Sequence, residues 1–251
     1  MNNDISYRVI GNNKSVEIAG SYVPINTVLK SVNDMRNLIK KFNEFEINIS
    51  EILGLRNLSG FIGELFAHCI RKNSNGLFIK NPHQDGYPDL LLMNQKGKYI
   101  YRKLSKRLKE KAPFSPFENG GIEVKATIGA VPTPKMCAKK GLDKPDLGDQ
   151  RIHLLTGYDW KAHHQETNYL LGLLWDFIEG FPTIVAVFYS NNLELNDWGK
   201  IVKPKTGGGR TTSVSIMTRI GIKKMYDNIL LVIDDQRYID FLNGYNKSDK
   251  L

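Results

Sequence analysis

The stretch that most restricts the fold of this chain is PTIVAVFY, residues 182–189, which is apolar at nearly every position. A run of this length and composition is typical of a strand that is buried on both faces. The segment just before it, ETNYLLGLLWDFIEG at 166–180, is rich in leucine and ends in glycine, a frequent helix terminator. We therefore predict a helix at 166–180 that packs beside a sheet containing 182–189.

Short apolar segments bounded by Gly, Pro and Asn occur on both sides of this pair and are typical of strands. The predicted strands are GLFIK, PDLLLM, KYIY and GIEVKAT before residue 128, and TTSVSIM and NILLVI after residue 210. Apolar residues at three- and four-residue steps predict helices at about 25–45 and 58–71, and a last helix is predicted near 236–242. The predicted fold class is therefore α/β (α+β), with a central mixed sheet, flanking helices and a single domain over 1–251.

The composition is that of an ordinary folded protein. Of the 251 residues, 41% are hydrophobic and 24% are charged, which excludes an intrinsically disordered chain. No stretch approaches the roughly 18 consecutive apolar residues of a membrane helix, and the first residues lack the pattern of a signal peptide, so we expect a cytoplasmic protein without a membrane partner. Two isolated cysteines, Cys69 and Cys137, predict neither a disulfide framework nor a structural zinc site.

Positive charge is concentrated in two segments of the chain. The net charge is +9; residues 96–111 contain eight Lys or Arg against one acid, and residues 198–226 contain seven against none. A basic surface of this kind favours a polyanionic partner. The alternative is that each segment is a solvated face with no partner.

Two segments carry residue types suited to hydrolysis of a phosphodiester bond. Asp89 begins a predicted strand in HQDGYPDLLLM, and Glu123 and Lys125 lie two apart in GIEVKAT, which points both side chains to one face of a strand. If the two strands are neighbours, the three side chains converge. Mg²⁺ prefers carboxylate oxygens, so Asp89 and Glu123 are predicted to hold Mg²⁺, or Mn²⁺ in its place, with the carbonyl of Val124 within reach of the metal. Lys125 is predicted to lie beside the attacking water and to orient or deprotonate it.

A structural interpretation competes with the catalytic one for these residues. Pro-Asp at the start of a strand is a common turn, and Glu-x-Lys on a strand is an ordinary solvent-facing charge pair. Both segments are nevertheless flanked by apolar strand residues, and three charges beside a core cost stability unless function needs them. The context favours the catalytic interpretation.

Four segments occur in a characteristic order: GELF at 63–66, HQDGYPD at 83–89, IEVKAT at 122–127 and TGGGRTTSVSI at 206–216. In this order the chain from about Leu58 onward resembles the type II restriction endonucleases of the PD-(D/E)xK superfamily, EcoRV-like group. The resemblance implies a restriction-endonuclease-like core, an additional catalytic-site glutamate at Glu64 that would share in metal binding, and sequence-specific cleavage of both DNA strands.

The resemblance also implies two DNA-facing loops, HQDGYPD in the minor groove and TGGGRTTSVSI in the major groove. Consecutive glycines let the backbone approach the bases closely, and Arg210 suits a bidentate contact with guanine. The alternative for the glycine-rich segment is a mobile hairpin tip. The residues implied as DNA-binding are His83, Gln84, Asp85, Thr127, Gly207, Gly208, Gly209, Arg210, Thr211, Thr212, Ser213 and Ser215.

The chain departs from the family pattern at several positions. Glu123 and Ala126 stand where the family member has aspartate and threonine, and the basic insertion at about 96–119 has no counterpart, so its role stays open. His163 and His164 precede the helix predicted at 166–180 and are interpreted as capping or surface residues, with a phosphate contact as the alternative.

The resemblance further implies a homodimer on double-stranded DNA, with a cognate methyltransferase in the host that is not a physical partner. Residues 1–57 would then be an N-terminal helical and dimerisation part, 58–190 the catalytic core and 191–251 the DNA-recognition part. Two alternatives remain: a catalytically silent DNA-binding protein of the same fold, and a structure-specific repair or junction nuclease.

Overall fold

The structure is a computed structural model that describes residues 5–11, 15–162, 167–203 and 213–245. Within these residues the strands are β1 (Tyr7–Val9), β2 (Ser15–Ile18), β3 (Ser21–Pro24), β4 (Phe78–Lys80), β5 (Leu90–Leu92), β6 (Gly121–Thr127), β7 (Lys161–Ala162), β8 (Leu170–Ile178), β9 (Phe181–Ser190), β10 (Ser215–Ile216) and β11 (Ile229–Ile233). The helices are α1 (Ile25–Glu44), α2 (Ile49–Ile52), α3 (Leu55–Asn73), α4 (Gln95–Lys103), α5 (Pro134–Lys139), α6 (Arg219–Asp227) and α7 (Gln236–Tyr245).

One mixed sheet organises the chain, in the order β1-β11-β9-β8-β6-β5-β4. Strands β6 and β8 are parallel, and the other neighbouring strands are antiparallel. The central strands β8 and β9 are buried along nearly their whole length. The predicted α/β class with a mixed sheet is confirmed, and so is the buried strand predicted at 182–189.

Each face of the sheet is covered by its own hydrophobic core. On one face, α1 and α3 pack over alternate residues of β8 such as Leu171 and Leu173. On the other face, α6 and α7 pack over Leu170 and Leu174. Successive side chains of a strand point to opposite faces of the sheet. A strand that is covered on both faces is therefore apolar at nearly every position rather than at every second one.

The helix predicted at 166–180 is wrong: Leu170–Ile178 is β8, which pairs with β6 on one side and β9 on the other. A long apolar run without period is compatible with a buried helix or a buried strand. Here Gly180, at φ 80°, lies in the turn between β8 and β9 and does not end a helix.

The strand predicted for KYIY is also wrong, because these residues lie inside α4. The side chain of Asn94 caps this helix by accepting a hydrogen bond from the Gly97 amide at 3.0 Å. Helices α1 and α3 confirm those predicted at 25–45 and 58–71, and α7 confirms the last one. Of the strand predicted for TTSVSIM, the structure describes residues 213–217, and among these Ser215 and Ile216 form β10. Helix α6 was not predicted.

A separate ribbon of β7 and β10 lies beside the main sheet, with Ala162 opposite Ser215. The N-terminal residues join the main sheet, because β1 pairs with β11. In the described ranges, no helix combines the length and the apolar character that crossing a membrane would need.

Candidate active site

Asp89, Glu123 and Lys125 meet at the start of β5. The Lys125 ammonium Nζ lies 2.5 Å from Glu123 Oε1 and 3.5 Å from Asp89 Oδ2. Two backbone amides also bind these carboxylates: the Asp89 amide donates a hydrogen bond to Glu123 Oε2 at 3.1 Å, and the Val124 amide donates one to Asp89 Oδ2 at 2.8 Å. The convergence predicted from the two segments is therefore present, and β5 and β6 are the neighbouring strands that it requires.

A glycine allows these two strands to approach. Gly121 pairs with Leu91 in the register of β5 and β6, and a Cβ at Gly121 would lie 1.9 Å from the carbonyl oxygen of Leu90. No side chain fits at this distance, so the backbone approach next to Asp89 depends on glycine.

Burial sets the electrostatics of the three charged groups. The Glu123 side chain is 5% exposed, while those of Lys125 and Asp89 are 22% and 25% exposed. Burial and the nearby Glu123 carboxylate raise the pKa of Asp89 to about 7. Burial by itself would lower the pKa of Lys125, but the carboxylates of Glu123 and Asp89 outweigh it and raise that pKa above its usual value. Lys125 therefore stays positively charged.

Glu64, the additional glutamate implied by the resemblance, lies on α3 at the edge of the same site. Its carboxylate is half exposed and pairs with Lys80 Nζ at 2.7 Å. It still adds to the rise in the pKa of Asp89, after burial and Glu123. Among the described residues no group of three or more His, Cys, Asp or Glu lies close enough to hold an ion, so Glu64 stands apart from the two buried carboxylates.

An open cleft of about 440 Å³ is lined by two of these three charged residues, Asp89 and Lys125. Its walls are the first turns of α3, the exposed Gln84 of the 83–89 loop and Lys161 of β7. The carbonyl of Val124 faces α3, where it lies 3.9 Å from the position of a Cβ on Gly63. The cleft thus brings acidic, amide and cationic groups to one surface.

The loop predicted to enter the minor groove has two kinds of residue. Gln84 and Asp85 are exposed, whereas the ring of His83 packs against Phe114 with centroids 5.7 Å apart. His83 Nε2 is buried and has no hydrogen-bond partner within the described residues. Thr127 ends β6, and its Oγ1 accepts a hydrogen bond from the Gly129 amide at 3.2 Å.

Most of the glycine-rich segment lies outside the described residues, including Gly207, Gly208, Gly209, Arg210, Thr211 and Thr212. His163 and His164 lie outside them as well. Ser213 is half-buried. Ser215 in β10 is 1% exposed and its hydroxyl donates to the Gly199 carbonyl at 2.5 Å, so this side chain is not free to contact a ligand.

Two cations of the site carry no sequence signal that would have identified them. Lys80 ends β4 and Lys161 begins β7, and both belong to segments that read as ordinary strand ends. Only the antiparallel pairing of β4 with β5, and the position of β7 beside the cleft, bring them to the active centre.

Comparison of the chain with protein-family models, with curated proteins and with solved structures finds no match in any of the three. The arrangement itself has a defined chemistry. A buried and a partly buried carboxylate beside a lysine that remains charged can hold a hard cation and stabilise negative charge on a phosphate.

Proposed function

We propose that this protein is a magnesium-dependent, sequence-specific DNA endonuclease of the type II restriction class, with a PD-(D/E)xK core. The observation that carries the proposal is the placement of Lys125 between the carboxylates of Asp89 and Glu123, on two adjacent strands and at the base of an open cleft. A charged triad beside a core lowers stability, which is the pattern expected of residues retained for chemistry.

The residues of the triad suit Mg²⁺ or Mn²⁺. One ammonium lies between two carboxylates. Burial first, and then the nearby Glu123 carboxylate, raise the pKa of Asp89. All donor atoms are hard oxygens, and within the described residues nothing donates a hydrogen bond to Asp89 Oδ1. Asp89, Glu123 and the Val124 carbonyl would hold the cation, which would polarise the phosphate and lower the pKa of a bound water.

The chain's own residues divide the remaining work. The carboxylates of Glu123 and Asp89 favour the charged form of Lys125, so this side chain would act as a hydrogen-bond donor and a positive charge that orients the attacking water and neutralises charge on the phosphate. Glu123 holds Lys125 in place through the 2.5 Å contact. Glu64 lines the same cleft while one of its carboxylate oxygens pairs with Lys80.

Double-stranded DNA as substrate and a homodimer that cuts both strands of a two-fold site belong to the same proposal. The basic surplus of the chain supports a polyanionic substrate. The silent DNA-binding alternative shares that surplus but has no use for a buried acid-acid-lysine cluster.

The test is digestion of a defined plasmid by the purified protein with Mg²⁺, with Mn²⁺ and with EDTA. We expect discrete fragments with either metal and no cleavage in EDTA. Lys125→Ala should reduce the cleavage rate by several orders of magnitude and still bind duplex DNA, whereas the exposed control Lys144→Ala should cut like the wild type.

Three outcomes would contradict the proposal in different ways. Cleavage in EDTA would exclude the metal site. Near wild-type cleavage by Lys125→Ala would show that this lysine is not catalytic. Binding of duplex DNA without cleavage under any metal would favour the silent DNA-binding protein instead.

A further inference from the structure

The basic insertion at 96–111 forms an ordered element, here called the basic arm (residues 95–117). It consists of α4, a short 3₁₀ turn at Ser105–Arg107 and the return segment that leads to β6. The side of α4 that carries Ile100, Tyr101 and Leu104 packs on a small core with Phe114 and Phe117. The arm is therefore a folded surface and not a loose loop.

The charges of the arm lie outside this small core. Its eight Lys and Arg side chains are all exposed. Arg107 pairs with Glu110 at 2.6 Å and Lys96 lies 3.9 Å from Glu118, while the other six have no acidic partner within the described residues. A solvated face of a typical protein intersperses both signs of charge, so a face with so little neutralisation favours a polyanion.

The spacing along α4 concentrates part of this charge in one stripe. Tyr99, Arg102 and Lys103 lie on one side of α4, since Arg102 and Lys103 follow Tyr99 by three and four residues, and Lys106 follows in the short 3₁₀ turn after the helix. Tyr99 is 58% exposed, and Lys103 Nζ lies 4.3 Å from the centroid of its ring. The aromatic ring supports the ammonium group without neutralising it.

The arm is fixed to the loop that ends in Asp89. The Asn81 side chain donates to the Phe114 carbonyl at 2.9 Å, the Tyr87 amide donates to Ser115 Oγ at 3.1 Å, and the Phe117 amide donates to the Tyr87 carbonyl at 3.1 Å. Leu91 packs in the arm's core and follows Asp89 by two residues, so both side chains point to the same side of the chain. Asp89 and the core of the arm therefore lie on the same side of the chain at β5.

We propose that the basic arm binds the phosphate backbone of the DNA duplex that flanks the cleaved site, without reading its sequence. The inference rests on the proposed function and extends it: the protein would contact a longer stretch of DNA than the sequence that it recognises. Six of the arm's eight cations are lysines, which are flexible point charges that suit phosphates and present no fixed bidentate geometry for bases.

The experiment compares the wild type with the arm variant Lys103→Gln/Lys106→Gln and with the control Lys30→Gln/Lys41→Gln, which removes two exposed charges from α1. Binding to a mixed-sequence duplex of about 30 base pairs is followed by fluorescence anisotropy in EDTA at several salt concentrations. The slope of log affinity against log salt should become shallower by about 1.8 in the arm variant, or 0.9 for each lost contact, and stay unchanged in the control. On a duplex trimmed to the shortest length that is cut, wild type and arm variant should cut equally fast at saturation.

The outcomes separate the two proposals. If the slope of log affinity against log salt is the same for the wild type and the arm variant, the proposal that the arm binds DNA is wrong, whether or not the protein cleaves DNA. A shallower slope for the arm variant, in a protein that does not cut DNA under any condition, would support the arm proposal and contradict the proposed nuclease function. Equally tight binding of poly-L-glutamate and duplex DNA by the wild type would show a general polyanion surface and would also overturn the proposal; if the arm variant does not fold, Lys98→Gln/Lys111→Gln provides the same comparison.

Discussion

Replacing Asp89 by asparagine should make the metal-free protein more stable while it abolishes cleavage. Asparagine keeps the shape of the side chain and can still accept the hydrogen bond from the Val124 amide. It removes the carboxylate whose ionisation burial and Glu123 oppose. The loss of a metal-binding group should lower the cleavage rate by orders of magnitude.

The magnitude follows from the pKa. A rise from 3.8 to about 7 means that ionising Asp89 costs about 4 kcal/mol more in the folded protein than in the unfolded chain. Because the folded-state pKa is the higher one, the folded protein binds the proton more tightly, and stability is lost as the pH rises from about 4 to about 7. Relative to the wild type, Asp89→Asn should therefore gain about 4 kcal/mol at about pH 8 but only about 2 kcal/mol at about pH 5, less what Lys125 loses as a partner.

The assay is chemical denaturation of wild type and variant at both pH values in EDTA. Comparison at a fixed pH cancels the titration of groups that do not interact with Asp89, so the change in the difference, about 2 kcal/mol between the two pH values, is the quantity of interest. Asp85→Asn, which removes an exposed carboxylate from the same loop, is the matched control and should show no such change. The reasoning would be refuted by a stability difference between wild type and Asp89→Asn that is the same at both pH values.

Three further predictions concern the strand approach, the metal and the recognition segment. Gly121→Ala places a Cβ 1.9 Å from the Leu90 carbonyl oxygen, so it should lower the free energy of unfolding by more than about 2 kcal/mol and impair cleavage; Gly244→Ala on α7, where no atom lies within 4 Å, should be neutral or stabilising in the same denaturation assay. Mg²⁺ should raise the melting temperature of the wild type more than that of Asp89→Asn, and equal shifts in a thermal scan would exclude Asp89 as a ligand. Arg210→Ala should reduce discrimination at one base pair by about 1 to 3 kcal/mol. An equal loss of binding affinity for all single-base variants of the site would show that Arg210 contacts the DNA phosphate backbone instead of a base.

The sequence predicted the convergence of Asp89, Glu123 and Lys125 on the condition that their two strands are neighbours. Glu123 and Lys125 share a face through the period of two, and β5 and β6 pair through a direct antiparallel register. The contributions of Lys80 and Lys161 depend on which strands are neighbours, and a lysine at a strand end is too common to mark such a place. The pairing of Lys80 with Glu64 likewise needs α3 to lie over β4, which no short motif encodes.

The errors in secondary structure have physical causes of the same kind. Residues 170–178 are apolar at every position except Asp176 because two layers cover β8, so the periodicity of apolar residues could not distinguish a helix from a strand. For KYIY, the deciding signals were the Asn94 cap and the apolar residues Ile100 and Leu104 at helical spacing, which the short β-like run obscured.

The separation of the core into two clusters has a consequence for how this chain can diverge. The cluster under α3 supports the active centre, whereas the cluster under α6 includes Trp160 and Met217, which adjoin the β7–β10 ribbon. The sheet lies between them, so substitutions in one cluster share few neighbours with the other and their effects on stability should add. Drift on one side therefore needs no compensating change on the other, and descendants of this chain can alter the surface beside the ribbon while the chemistry at β5 and β6 is inherited intact.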